Sequence, residues 1–468
     1  MDIYSIYIYI YMKGLFIFRR DLRLTDNTGL IKASQECEKV YTIFIFTPEQ
    51  VTEKNRFKSD ISVQFMVEAL GELSKEIRSK GGQLVTLFGE NENVVFKCIE
   101  AWGIDTVYWN KDYTPYAKKR DAQVERLCSK LKVTVSISED YYLNEPNTIL
   151  TGSGTAYLKY TPYMNKSMHK GWRAPSSAHI QSLSRSSKKI KGSEITLKEA
   201  LSEFVETDQE LVETYKREKA IEILRKHAIF KNYDKTRNDL ELETTRLSAP
   251  IKYGIISIRE VAKSFKSNKA LLRQLIWRDF YAQILNAEPR VLGQALKEQY
   301  SKIKWEGSHA HYVKWCQGKT GFPIVDAGMR ELNETGYMHN RARLIVASFL
   351  IKTLLIDWQK GEKYFATKLV DYDPASNNGN WQWVASTGAD SQPYFRIFNP
   401  WSQSKEHDPD ATYIKRWVPE LENVSAKCIH EWDKCASSKE FKGIEYPAPI
   451  VDYKIQREKA LKMYKTVV

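Results

Sequence analysis

The sequence predicts an α/β domain followed by an all-α one. Strand and helix signals alternate up to about residue 139, and strand signals vanish beyond about residue 210. A chain of 468 residues with 42% apolar content exceeds what one ordinary core encloses, which makes two domains the natural division. In the first part GLFIFRR, KVYTIFIF, GGQLVTLFG, DTVYWN and VTVSISE are short runs of β-branched and aromatic residues and read as strands. Helical stretches such as SVQFMVEALGELSKEIRSK separate them, so residues 13–143 are expected to form a doubly wound parallel sheet covered on both faces. The first strand runs into Arg19-Arg20-Asp21-Leu22-Arg23 with no GxGxxG or P-loop, which argues against a standard dinucleotide site in this half. Residues 144–210, with SLSRSSKKIKGSE, read as an exposed linker, and Lys188-Lys189-Ile190-Lys191 as part of it or as a localisation signal. Residues 211–468 carry apolar positions at helical spacing in ALLRQLIWRDFYAQIL, in the long run from Asp326 to Trp358 and in KYFATKL, with no internal repeat. The start, residues 1–12, alternates Tyr and Ile without a basic n-region or cleavage site. It reads as an extra edge strand, a tail, or an artefact upstream of a start at Met12, and not as a signal peptide.

A formal charge of +13 points to polyanionic partners if the basic residues cluster, and to plain solubility if they do not. Twelve tryptophans and 27 tyrosines favour base stacking or electron transfer about as much as core use. The six cysteines show neither CxxC spacing nor a disulfide framework, so a reducing compartment and no metal site are expected. The longest apolar run, Leu344 to Ile351, is far short of the roughly twenty residues that span a bilayer. The expected protein is therefore soluble and intracellular, in cytoplasm or nucleus, without a membrane partner, and a monomer.

Three segments carry chemistry. Within Asp371–Pro400, thirteen residues hold Asp371, Asp373, Asn377, Asn378, Trp381 and Trp383, a mixture of acids, amides and indoles that suits a redox cofactor meeting a flat aromatic substrate. Thr244, Thr245, Arg246, Leu247 and Ser248 set three hydroxyls around an arginine where a helix would open, which serves phosphate binding or simple capping. Gln274, Trp277, Arg278 and Tyr281 recur at spacings of three or four, hence along one side of a helix where a core helix would be apolar.

Together with GKTGFPIVDAGMRELNETGYMHNRARL at 318–344, these segments resemble the photolyase/cryptochrome family, and the resemblance extends from Lys13 to about Lys459. It implies an α/β antenna-type domain, an all-α FAD-binding domain and non-covalent FAD. By resemblance the FAD pyrophosphate is held by Thr244–Ser248 with Tyr233 preceding, and flavin contacts fall on Arg278, Asn340, Arg343, Asp371 and Asp373. Asp371 is expected to pair with Arg343. Gln274 bonds bases and faces the flavin, Trp277 and Trp383 form the two walls of a lesion pocket, Arg341 meets a lesion phosphate, and Leu344 lines the pocket. Asn377 aligns with the residue beside flavin N5, where plant cryptochromes carry Asp and many animal cryptochromes Cys; capping a helix is its alternative use. Trp381, Trp358 and Trp305 match the chain that passes electrons inward to excited flavin, although each alone would read as core.

Two positions depart from the dimer-repairing pattern: Gln274 stands for the usual Glu and Leu344 for a common Met. The two histidines of (6-4) photolyases are absent, since Asn340 and Leu344 occupy their places, and His339 is a bystander. The implied activity is a class I-like cyclobutane pyrimidine dimer photolyase, a carbon–carbon lyase acting on UV-damaged DNA. A signalling cryptochrome and a (6-4) photolyase are the alternatives, the former disfavoured by a chain that ends at Val468 without a long tail. Tyr116 and Ala117 stand where folate-binding members show Asn and Glu, so the antenna is a deazaflavin, another flavin, a folate or absent.

Overall fold

The computed structural model describes residues 12–206, 211, 213–441 and 443–467. The Tyr/Ile-alternating start up to residue 11, with its edge-strand, tail and artefact readings, lies outside the described residues. Five strands form one parallel sheet: β1 Lys13–Phe18, β2 Lys39–Phe46, β3 Leu84–Phe88, β4 Thr106–Asn110 and β5 Thr134–Ser138. Their order is β3-β2-β1-β4-β5, so the sheet reverses direction between β1 and β4, as a doubly wound sheet does. The middle strands are buried almost throughout, as the near-continuous apolar runs FIF and IFIF require when helices cover both faces, whereas edge strand β5 has only Ser136 buried and leaves Ile137 exposed. Helices α1 Thr28–Glu36, α2 Asp60–Ser79, α3 Asn91–Trp102 and α4 Pro115–Leu131 supply the crossovers.

The crevice where the strand order reverses is closed by the chain itself. Asn110, at the end of β4, donates to Asp21, just past β1, at 2.6 Å. Arg23 and Arg259 both reach Asp140, at 2.6 and 2.7 Å, and Arg259 also reaches Asp26 at 2.7 Å. Burial alone would raise the Asp140 carboxyl, yet the two guanidinium groups hold it down at about 2, while burial pushes Asp21 up to about 6. The side chains at this crevice satisfy one another, in a segment that carries no glycine fingerprint for a pyrophosphate.

Within the segment 144–210, expected as a linker, residues 183–194 lie along the sheet. Leu183 bridges Val40, Glu194 bridges Leu87, and Ile190 is 2% exposed within the α/β core. The Lys188–Lys191 run is held by buried Ile190 and by hydrogen bonds of its backbone, Trp102 donating to the Lys188 carbonyl at 2.9 Å and the Ile190 amide donating to Glu194 at 2.7 Å. By compactness, one unit takes the chain up to Tyr157, then Thr161–Ile229 and Arg246–Ala287. It therefore includes α5 Ser248–Lys252 and α6 Lys269–Ala287, which a boundary at 211 groups with the helical half. The cause is polar: besides Arg259, the buried carboxylate of Asp279 on α6 accepts from the Asn144 backbone at 2.9 Å.

The other unit takes Leu158–Tyr160, Phe230–Thr245 and the chain from Glu288 onward, and it is helical. Its framework is α7 Pro323–Thr335, α8 Asn340–Ser348, a π-helical segment Phe349–Thr353, α9 Trp358–Lys368, α10 Pro374–Val384 and α11 Tyr453–Lys465. One apolar core joins α7 to α10, with Trp315, Met329, Val346, Phe365 and Trp381 at its centre, while the buried residues of α11, Ala460, Met463 and Tyr464, pack in a separate cluster with Ile303 and Leu355. Between the short helices Ala426–His430 and Trp432–Cys435 the chain turns back on itself, and Cys428 and Cys435 form a disulfide with Cα atoms 5.7 Å apart. This corrects the expectation of no disulfide: a spacing of seven crosses a turn that sequence spacing does not reveal. Cys37, Cys98, Cys128 and Cys316 are free thiols.

Candidate active site

Within the helical unit, α8 and α10 carry most of the candidate residues. α10 opens at Asp373, whose carboxylate accepts from the Ser376 amide at 2.9 Å, with Pro374 at the first helical position. Asn377 therefore lies inside the helix and does not cap it. Its side-chain amide donates to the Glu362 carbonyl at 3.0 Å, and its Oδ1 takes no hydrogen bond among the described residues. Asn378 donates to the Val291 carbonyl at 2.8 Å and to the Glu362 carboxylate at 2.9 Å, and Gln382 donates to Asn378 at 3.0 Å. Sequence reasoning missed Glu362, because its contacts cross from α9 to α10. Burial pushes its carboxyl up to about 7, against the opposing pull of the Asn378 hydrogen bond.

Arg343 on α8 donates to Asp371 at 2.9 Å, the pairing expected from sequence, and to the Met338 carbonyl at 2.8 Å. Burial opposes its charge, but the Asp371 carboxylate outweighs burial and holds the guanidinium above its ordinary value. The second oxygen of Asp371 is buried without a hydrogen-bond partner among the described residues. An orphaned carboxylate oxygen costs about 1–3 kcal/mol, so a ligand N–H is the natural partner for it. Asn340 is exposed at the start of α8, where His339 caps the helix by accepting from the Arg341 amide at 3.1 Å. Arg341 is half-buried with its Nε unpartnered, over the Phe398 ring at 5.9 Å. Burial, helped by Arg237, keeps it below its ordinary value. Leu344 and Trp383 are half-buried at the edge of the core.

Trp381 and Trp358 are 3% and 2% exposed, whereas Trp305 is half-exposed. Trp381 stands edge-on to Phe365 at 4.9 Å and to Trp315 at 6.3 Å. Trp305 meets Tyr464 of α11 edge-on at 6.3 Å. Thr244 shares a hydrogen bond of 2.9 Å with Tyr337, Thr245 is half-buried, and Tyr233 is half-buried with its hydroxyl pKa raised by burial.

In the sheet-containing unit, Arg246 takes a left-handed φ of 47° and is followed by Leu247 at φ −85° and ψ −1°. Alternating left- and right-handed residues turn successive amides inward into an anion-binding concavity. The helix expected to open here is only Ser248–Lys252, with Leu247 at its cap and no side-chain capping bond, so capping does not account for the hydroxyls. Along α6, Gln274, Trp277 and Arg278 form a half-buried stripe, and Tyr281, expected on that side, is buried. Arg278 donates to the Tyr141 carbonyl at 2.5 Å and lies over the Tyr142 ring at 4.6 Å.

The helical unit offers an orphaned carboxylate oxygen on Asp371, an unengaged Asn377 amide oxygen and buried indoles among the described residues, groups that suit an aromatic cofactor. Residues 15–181 match the DNA photolyase family and residues 271–466 match the FAD binding domain of DNA photolyase. The deoxyribodipyrimidine photo-lyase of Alkalihalophilus pseudofirmus is 36% identical, over 96% of this chain and 97% of its own. That of Escherichia coli is 35% identical, over 96% and 97%. An archaeal photolyase from Sulfolobus tokodaii, solved with two FAD molecules, superposes with a TM-score of 0.87 at 38% identity, over 97% of this chain and all of that one. The chain belongs to the photolyase/cryptochrome family, among the deoxyribodipyrimidine photo-lyases: a light-dependent, FAD-binding lyase that repairs cyclobutane pyrimidine dimers in UV-damaged DNA. No helix among the described residues is long and apolar enough to cross a membrane.

Proposed function

We propose that dimer splitting is carried by the residues singled out from sequence, with the Arg343–Asp371 pair and its orphaned oxygen as the observation that carries the reading. Bound FAD supplies light absorption and the electron that opens the cyclobutane ring. Asp371 would accept from the edge of the bound ring while Arg343, 2.9 Å away, orients that carboxylate, and Asn377 offers a neutral amide that adds no negative charge there. Asp373 serves the flavin while it holds the start of α10, Asn340 serves it from the start of α8, and Arg278 serves it from α6. Thr244, Thr245, Arg246, Leu247 and Ser248, with Tyr233, take the pyrophosphate. Arg341, desolvated and short of hydrogen-bond partners, grips a lesion phosphate. Trp277 and Trp383 stack on the extruded dimer, with about 1–3 kcal/mol per base available from such stacking, and Gln274 and Leu344 border it. Trp381, Trp358 and Trp305 pass electrons inward, and the half-exposed Trp305 is the surface end of that wire.

The second cofactor is an anionic antenna, a deazaflavin or flavin in preference to folate, held by the sheet-containing unit. Arg19 is 9% exposed, its Nε makes no hydrogen bond, and it shares the single carboxylate of Asp121 with Arg120, leaving a surplus of buried positive charge. The protein acts as a monomer, with residues 13–143 as the antenna domain, 144–210 as the connection and 211–468 as the catalytic domain, whose segment Arg246–Ala287 is compact with the sheet-containing unit. Illuminating one oligonucleotide with a cyclobutane dimer and another with a (6-4) product tests the reading: repair of the first alone is expected. Repair of the second alone, or of neither under reducing conditions, refutes it.

A further inference from the structure

Lys352 is the most deeply buried lysine in the helical unit, at 0% exposure, and none of the roles above uses it. It lies in the π-helical segment between α8 and α9. Its ammonium donates to the Ser386 hydroxyl at 3.1 Å and to the Arg396 carbonyl at 3.0 Å, and it sits 5.7 Å from the Tyr464 ring. No carboxylate pairs with it among the described residues. Ser386 stands just past α10, in a left-handed turn at φ 68°. The groups facing Lys352 can therefore be named element by element. α11 contributes the phenol of Tyr464. Next to that ring stand the phenols of Tyr300, at 6.1 Å, and Tyr394, at 6.0 Å. Arg396 turns its carbonyl toward the ammonium. Asp357 acts on Tyr464 from a distance and makes no ion pair with Lys352.

Two hydroxyl or carbonyl dipoles and a π face are a poor substitute for the hydration of a full charge. Burial accordingly lowers the lysine to about 7. The same Tyr464 ring meets Trp305 at 6.3 Å, so Lys352 Nζ and the Trp305 ring are no more than about 12 Å apart.

We propose that Lys352 is an electrostatic brake on the outer end of the tryptophan wire: as a cation it disfavours the electron-deficient state of Trp305, and as a neutral amine it does not. The proposal rests on the wire reading above. In each turnover of the wire one electron moves inward from Trp381 and is replaced from Trp358 and then Trp305. Trp305 is thereby left one electron short, until charge recombination returns that electron or an external thiol refills it. Lys352 exchanges only a proton with solvent and takes no part in the electron count. Two unit charges about 12 Å apart at an effective dielectric of about 20 change the population of oxidised Trp305 about tenfold.

Flash absorption of the holoenzyme without added reductant reads the yield of long-lived oxidised tryptophan. In the wild type that yield rises about tenfold as pH increases through about 7. Lys352→Met is expected to give the high yield at every pH, and Lys352→Arg, which stays charged, the low one. A second readout is independent of the flavin reaction. The unfolded lysine holds its proton up to about 10.5, so the wild type gains stability toward urea as pH rises from about 7 toward that value, and both variants lose this rise.

A wild-type yield without a step, or the same step surviving in Lys352→Met, overturns the proposal. Should both variants fail to fold, Ser386→Ala decides. It removes one acceptor of the ammonium and moves the step to lower pH; an unmoved step refutes the idea. Trp305→Phe separates the two layers: an undiminished long-lived signal in that variant defeats the wire itself, whereas its loss together with a pH step retained in Lys352→Met defeats Lys352 alone.

Discussion

Gly361 on α9 is the position where one methyl group tests how the innermost tryptophan is held. A Cβ built there would lie 2.2 and 2.4 Å from Cη2 and Cζ3 of Trp381 and 2.5 Å from Cδ2 of Leu350. Carbon atoms rest at about 3.5–4.0 Å, so the indole edge has to move by more than about 1 Å. It has nowhere to go: Phe365 stands edge-on at 4.9 Å and Trp315 at 6.3 Å, both buried. Overpacking of this kind costs about 1–3 kcal/mol, and three overlaps, two of them with a rigid ring, put Gly361→Ala at the upper end. Replacing a helical glycine with alanine returns about 1 kcal/mol, so packing wins and the net loss is about 2 kcal/mol. Urea denaturation followed by circular dichroism measures it, and flavin photoreduction should slow because Trp381 is displaced. Trp381→Phe removes the atoms that collide, so the alanine should cost less in that background, with a coupling of about 1 kcal/mol or more in the double-mutant cycle. A neutral or stabilising Gly361→Ala, or strict additivity with Trp381→Phe, would show that the indole does not press on α9 as argued.

Two further outcomes follow from buried charges, and a third from the tryptophans. Burial holds the Asp279 carboxyl up at about 7 against the pull of Arg278, whereas the unfolded group titrates near 3.8. Between those values the unfolded chain releases the proton first, so stability falls as pH rises toward 7. Asp279→Asn should flatten that fall and stabilise the protein at pH 8 by up to about 4 kcal/mol; an unchanged pH–stability profile would refute the assignment. Asp371→Asn leaves Arg343 without its counter-charge and should cost about 1–3 kcal/mol while lowering bound flavin per chain, read by visible absorption; full flavin loading would dismiss the role. Trp305→Phe should slow photoreduction while sparing repair by chemically reduced enzyme, and loss of both would assign this residue a different task.

The strands and their parallel order were legible because near-continuous apolar runs between helical periods admit few other arrangements. Motif residue types also marked the candidate site: the pairing of Arg343 with Asp371, 28 residues apart, was an implication of the family resemblance, and the two meet at 2.9 Å. What stayed hidden depends on which distant surfaces come together. Glu362 serves Asn377 and Asn378 only because α9 packs on α10, and Cys428 meets Cys435 only because the chain turns between two short helices. Ile190 draws a lysine-rich segment onto the sheet, Arg259 and Asp279 anchor the 246–287 segment to the α/β unit, and Lys352 loses its water to Tyr464, Ser386 and Arg396. Periodicity and spacing are local properties that a sequence displays directly, so they determined the elements and the fold class, while the cofactor came from the resemblance of the motifs. Desolvation and cross-helix hydrogen bonding depend on the packed interior, so only the tertiary structure decided which charges are strained, which amide is committed, and where a proton is weakly held.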